Sequence, residues 1–148
     1  MELYQHDFSE LDGTDLDEYA QYGYYDLDCF WITPGWSAYL IKVDDRWAGF
    51  ALTNDEVQRP DNTHAVVEFF VVRKYRGQGV GREAAHYLMT TCPGKWEVRV
   101  LQENQAAHDF WESLAKTAWP TSYRKVTVSD DRWNGPIFSI DTDPGAAA

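Results

Sequence analysis

Lysine and arginine are missing from residues 1–41 of this 148-residue chain, which hold nine acids instead: Glu2, Asp7, Glu10, Asp12, Asp15, Asp17, Glu18, Asp26 and Asp28. Over the whole chain 13 basic residues face 24 acidic ones, a formal charge of −11 at pH 7. Neutralising a nucleic-acid backbone takes clustered Lys and Arg, so this balance argues against a nucleic-acid partner and favours cationic or neutral ones. Cysteine is scarce too. Cys29 and Cys92 form no metal-ligand spacing, and two distant thiols in a chain without a secretory signal read as reduced, structural residues, so no metal is expected. A basic, apolar leader is lacking, as is any apolar run near the ~18 residues of a spanning helix. These absences predict a soluble, cytoplasmic protein with no membrane partner.

What is abundant is aromatic. Phe, Trp and Tyr make up 16% of the chain, and many lie in the first third beside the acids rather than in core periodicity. A chain of this length fits one domain, 1–148, that can bury roughly 68–70% of its unfolded surface.

Hydrophobic spacing orders the chain. Leu3, Tyr4, Phe8 and Leu11 recur every three to four residues, which predicts a short amphipathic helix from Glu2 to about Glu10 with a turn at Asp12-Gly13. The stretch 17–28 follows neither helical nor strand period. Trp36–Val43 and Trp47–Thr53, separated by Asp44-Asp45-Arg46, predict a hairpin. Thr63–Val72 is a near-continuous apolar strand of the kind covered on both faces, interrupted by Glu68. Val80–Thr91 has helical spacing and stops at Pro93-Gly94; Lys95–Leu101 is a strand. Asn104–Ala115 reads as a second amphipathic helix with Asn104 as N-cap, and Ser122–Ser129 with Pro136–Ile140 as a closing hairpin before a frayed tail, 141–148. The order predicts an α/β or α+β sheet with helices packed against it.

The segment Val71-Val72-Arg73-Lys74-Tyr75-Arg76-Gly77-Gln78-Gly79-Val80-Gly81-Arg82 combines a buried strand, a basic turn, three alternating glycines and a helix. Its physics is that of an anion site. Glycines let the backbone bend and approach a ligand, and the free N–H groups of a first helical turn, at the positive end of the macrodipole, attract phosphate oxygens. Arg76, Arg82 and Lys74 add charge. A P-loop needs Lys-Ser or Lys-Thr after the last glycine, whereas Arg82-Glu83 follows here; a dinucleotide fold needs an acid at the end of the next strand, whereas Glu97 sits near a strand start.

Arg76-Gly77-Gln78-Gly79-Val80-Gly81 resembles the acetyl-coenzyme A signature of the GNAT superfamily of N-acetyltransferases, Arg/Gln-x-x-Gly-x-Gly/Ala. Glu68-Phe69-Phe70-Val71-Val72 resembles that family's fourth strand, and Asn104, Ala107, Phe110 and Trp111 its Asn-x-x-Ala-x-x-aromatic helix. The resemblance implies a mainly antiparallel sheet with a splayed strand pair and helices on both faces, and acetyl-CoA as cosubstrate. It implies further that backbone groups of Phe70, Val71 and Val72 pair with the pantetheine arm. Amides of Gly77, Gln78, Gly79, Val80, Gly81 and Arg82, beside Arg76, bind the pyrophosphate, and Asn104 bonds the pantetheine or caps its helix.

N-acetyl transfer also needs an uncharged amine, a route for its proton and donors for the oxyanion. Glu68, a lone carboxylate in an apolar strand, is the candidate general base, acting directly or through water, set against a structural ion pair. Two departures from the family stand out. Trp111 occupies the position where the family often has a Tyr, and an indole cannot protonate a thiolate; another group supplies that proton, with Tyr87, His108, Ser113 and Tyr123 as candidates, or the thiolate leaves without one. The chain also begins at a helix where the family usually begins with a strand: either the strand is dispensed with, leaving a sheet edge that a homodimer could cover, or the sequence starts after it. In this family the acceptor site draws on the N-terminal helices. Here their carboxylates (Asp15, Asp17, Glu18, Asp26, Asp28) and rings (Tyr22, Tyr24, Tyr25, Trp31, Trp36) suggest a small cationic amine such as a polyamine or aminoglycoside, or a Lys side chain. The competing readings are a coenzyme A-holding regulatory domain and a plain protein-interaction domain.

Overall fold

The computed structural model describes every residue except Tyr25, Pro144 and residues 146–148. Helix α1 (Glu2–Asp12) ends with the Gly13 amide on the Ser9 carbonyl. The described residues of 13–28 form turns, fastened by their own acids: the Asp12 carboxylate accepts from the Thr14 amide and that of Asp17 from the amides of Tyr19 and Gln21. Such local side-chain bonds compete with helix formation. A four-residue helix, α2 (Cys29–Ile32), buries Phe30 against Trp36; it is too short for a helical period to register.

Strands β1 (Ser37–Val43) and β2 (Arg46–Asn54) form the expected hairpin. Its turn residues, Asp44 and Asp45, both have positive φ, 48° and 61°, the conformation whose twist matches the flanking strands. β3 (His64–Val71), α3 (Val80–Thr91), β4 (Lys95–Arg99), α4 (Gln105–Ala118), β5 (Tyr123–Ser129) and β6 (Asn134–Asp141) complete a six-stranded sheet in the order β1-β2-β3-β4-β6-β5. Only β3 and β4 are parallel; the other neighbours run antiparallel. On one face α3 and α4 enclose the main core, in which Met89, Trp96, Leu114 and Phe138 are almost wholly excluded from solvent. Each such side chain contributes ~1.5–3 kcal/mol of transfer free energy. On the other face lies α1, whose Tyr4 ring meets those of Phe50 and Phe70 edge-on at 5.9 Å.

One irregularity sets the rest. Leu52 pairs with Glu68 but Thr53 pairs with Val66, so Val67 is an extra residue in β3. Paired residues share a face, and an extra residue resets the alternation. Val66 and Phe69 therefore both face α4, while Glu68 and Phe70 face α1. The same point ends the contact with β4, which pairs only His64, Ala65 and Val66 to Trp96, Glu97 and Val98. Beyond it the two strands part. This is the splayed pair that the resemblance implies. Across the sheet, β2 and β3 are pressed together at Gly49, where a Cβ would lie 2.0 Å from the Phe70 carbonyl oxygen.

Glu97 is fully buried in β4. Its carboxylate accepts from the amides of Gln58 (3.0 Å) and Arg59 (2.8 Å) and from Asn62 Nδ2 (3.0 Å), and Arg99 Nε stands 3.6 Å away. The charge thus fastens the β2–β3 loop to the sheet. Glu97→Ala removes the acceptor that Gln58, Arg59 and Asn62 share, and is expected to cost about 3 kcal/mol in urea-unfolding free energy.

Candidate active site

A cavity of about 770 Å³ opens where β3 and β4 part, reaching from α1 across the end of β3 to the start of α3 and α4. The chain leaves β3 through a 3-10 turn, Arg73–Tyr75, and enters α3 through Gly77 and Gly79, whose φ values of 71° and 85° lie in the left-handed region that disfavours side chains. Nothing lies within 4 Å of a Cβ built on either, so the space above them is open. The amides of Gly77, Gln78, Gly79, Val80, Gly81 and Arg82 find no hydrogen-bond acceptor among the described residues; the first helical bond, from the Glu83 amide to the Gly79 carbonyl, begins beyond them. Six N–H groups at a helix N-terminus with no acidic or hydroxyl cap are a ready cradle for an anion.

The basic side chains are committed elsewhere. Arg76 sends Nε to the Val71 carbonyl (2.6 Å) and its guanidinium to Asp7 (2.6 Å), lies over the Phe70 ring at 5.4 Å, and is joined on Asp7 by Arg73 at 2.8 Å. Burial pushes the Asp7 carboxyl up, but the hydrogen bonds from Arg76 and Arg73 outweigh it and hold the group below its usual range. Arg82 reaches Ser113 Oγ at 2.8 Å, and Lys74 lies over the Tyr75 ring. Arg76 therefore ties the cradle to α1 and to the strand end.

The backbone of β3 differs in phase from the expectation. The Val72 amide donates to the Ala48 carbonyl at 2.7 Å, and the Phe70 carbonyl is directed at Gly49, so the main chain of both turns toward β2. Alternation along a strand leaves Phe69 and the Val71 amide to face the opening. Asn104 caps α4, its Oδ1 accepting from the Ala107 amide at 3.1 Å, and lines the cavity as well. Trp111 is 4% exposed and packs on Phe69 and Phe110. It is a packing residue, as its place on the apolar face of the helix predicts.

Glu68 is half-buried under α1 and accepts hydrogen bonds from two phenols, Tyr4 on Oε2 and Tyr24 on Oε1 at 3.1 Å. Burial pushes its pKa up; the two hydrogen bonds and the nearby Arg99 charge pull the other way, and burial wins. Burial and the Glu68 charge in turn raise both phenols, so they stay protonated. Neither partner was legible in local spacing, since they lie 64 and 44 positions from Glu68. Asp7 did leave a signal: it shares the apolar face of α1 with Tyr4, Phe8 and Leu11, and all four line the cavity.

Other candidates lie apart. Tyr87 is 70% exposed and faces a separate groove between α3 and β1; Tyr123 is on β5, His108 bonds the Leu101 carbonyl, and Ser113 takes Arg82. Asp15, Asp17, Glu18, Asp26, Asp28 and Trp31 are exposed, while Tyr22 meets His6 and Ser9; Tyr25 lies outside the described residues. No group of three or more His, Cys, Asp or Glu suited to a metal occurs among the described residues, and no helix there is long and apolar enough to cross a membrane.

Known proteins share this fold. The family described as "Acetyltransferase (GNAT) family" matches residues 1–115, and no curated protein matches the chain. An acetyltransferase from Thermus thermophilus superposes with a TM-score of 0.63 at 16% identity, over 78% of this chain and 70% of that one. A GNAT-family acetyltransferase from Staphylococcus aureus gives 0.62 at 12% identity, over 96% and 90%. An aminoglycoside 6′-N-acetyltransferase complexed with coenzyme A gives 0.63 at 13% identity, over 97% and 90%. With the family matched over most of its length and its splayed sheet and glycine-rich helix entry in place, this chain belongs to the GNAT acetyltransferase family, whose reaction is acetyl transfer from acetyl-CoA.

Proposed function

We propose that the protein transfers the acetyl group of acetyl-CoA to a primary amine of a small cationic acceptor, by direct attack within a ternary complex. The observation that carries this reading is the row of unpartnered amides from Gly77 to Arg82, which opens on the same cavity as the parted strands. A diphosphate seated on those amides leaves the pantetheine arm to run along Phe69 and Val71, past Asn104, toward the bulge and Glu68. That a protein of the same fold is complexed with coenzyme A supports a coenzyme A site of this kind. Glu68 then serves as general base, taking the amine proton directly or through an intervening hydroxyl or water. Its raised pKa brings a carboxylate nearer the range useful for accepting protons. Exposed carboxylates at Asp15, Asp17 and Glu18 in a chain of charge −11 support a cationic acceptor.

A second reading, a domain that holds coenzyme A as a regulator without chemistry, draws on Trp111, which puts an indole where a thiolate-protonating phenol is usual in this family. Acetyl-CoA raising the melting temperature while no amine in a panel releases thiol would support it; steady thiol release would reject it. Lys side chains of peptides belong in the same panel, because acetylation of protein amines is the alternative within the enzyme class.

Gly79→Asp puts a side chain on a left-handed backbone and a negative charge over the cradle. Acetyl-CoA affinity, measured by titration calorimetry, is expected to fall by about tenfold or more, near 1.4 kcal/mol, and unchanged affinity would remove the cradle from the site. Glu68→Gln is expected to lower kcat by about 100-fold or more and to remove the acid limb of the pH–rate profile, which in the unsubstituted protein lies above the ordinary carboxylate range. Stability gives an independent check of sign. A carboxyl raised in the folded state stabilises the fold below its unfolded value and loses that contribution as pH rises through the folded one. The melting temperature of Glu68→Gln relative to the unsubstituted protein should therefore improve as pH rises from the ordinary carboxylate range to neutrality.

A further inference from the structure

Acetyl transfer leaves a thiolate that needs a proton, and α4 places Trp111 where the family often has a phenol, while its His108 and Ser113 are taken up by the Leu101 carbonyl and Arg82. The opposite face of the sheet offers a phenol. Tyr4 is held by its neighbours, with its ring stacked on Phe8 at 5.4 Å and edge-on to Phe50 and Phe70 at 5.9 Å, and its hydroxyl donates to Glu68 Oε2. Of the three groups in this cluster, Tyr4 lines the cavity, while Glu68 and Tyr24 do not. Tyr4 thus joins the carboxylate, which its hydroxyl bonds, to the cavity into which the splayed strands would lead a thioester. We propose that Tyr4 is the catalytic acid–base hydroxyl of this site, and that Glu68 is the positioning residue behind it that stores the proton in transit.

This deepens the acetyl-transfer reading and rests on it. The amine nitrogen bonds to the acetyl carbon; its proton passes to the Tyr4 oxygen as the Tyr4 proton passes to Glu68. The carbon–sulfur bond then breaks, Tyr4 gives its proton to the sulfur, and Glu68 returns one to Tyr4. One proton has moved from nitrogen to sulfur, and both residues end as they began. The electrostatics suit this order. Burial and the Glu68 charge, with smaller contributions from Tyr24 and Asp12, make Tyr4 hold its proton while Glu68 is ionised. Protonating Glu68 removes that charge and leaves the phenol a better donor to a thiolate. Arg99 and Tyr24 are the other groups that favour the ionised carboxylate.

Tyr4→Phe keeps the ring and deletes the hydroxyl. With acetyl-CoA and the best amine of the panel, kcat is expected to fall about 100-fold or more, while acetyl-CoA affinity stays near that of the unsubstituted protein. The acid limb of kcat/KM should also move to higher pH, because the lost hydrogen bond had lowered the Glu68 value. Adding Glu68→Gln should cost no more than about a further twofold, since both act on one relay. Undiminished kcat in Tyr4→Phe, or losses that multiply in the double variant, would overturn the relay and leave the acetyltransferase standing. No thiol release by the unsubstituted protein with any amine would overturn the acetyltransferase reading itself, and the relay with it. Should Tyr4→Phe not fold, as shown by the absence of a cooperative melting transition, the unsubstituted protein decides. A proton inventory of kcat/KM in mixed light and heavy water is bowed if two protons move together, and a linear one overturns the relay.

Discussion

A strand that carries one residue too many governs the chemistry of this protein. If Val67 were paired in regular register rather than bulged, residues 66, 68 and 70 would share a face, and Glu68 would be set with Val66 among the apolar side chains beneath α4. With it, Val66 and Phe69 fill the core while Glu68 and Phe70 turn to α1. The same insertion ends the ladder with β4, so the carboxylate and the opening arise at one point of the backbone. Bulges commonly re-aim a side chain and stop pairing together; here a single residue does both.

The cradle follows a different logic. In a chain of such negative charge, a phosphate site built from free cations would compete with many nearby acids. The guanidiniums of Arg73 and Arg76 are indeed taken up, by Asp7 and by the Val71 carbonyl. What the glycine turn itself offers an anion is its row of peptide N–H groups, with Arg82, whose guanidinium bonds only the Ser113 hydroxyl, beside them. The side chains give position and the main chain gives attraction.

Much of this was readable in advance, and the limits have physical causes. α3 begins and ends where the glycines and Pro93-Gly94 predict, because local conformational rules dominate there. The cap at Asn104, the packing of Trp111 and the strand around Glu68 were legible for the same reason. The bulge was not: β3 is apolar on both faces, so slipping the alternation by one residue leaves no mark in the pattern of hydrophobic and polar positions. The phase of the backbone groups was misplaced with it, since Val72 and Phe70 turn to β2. The partners of Glu68 come from distant segments, and tertiary contacts between single side chains have no period to betray them. Arg76 illustrates a subtler limit. The motif marks it as a basic residue at the helix entry, but spacing could not tell that its guanidinium would reach Asp7.

Gly49 shows how far such a site reaches into the scaffold. It touches neither the cavity nor the carboxylate, yet the Phe70 carbonyl leaves no room beside it for even a methyl group. Any larger residue there must push β2 from β3 at Phe70, two residues along the strand from Glu68. A position without a polar side-chain atom of its own thus fixes the spacing of the two strands on which the carboxylate and the opening depend.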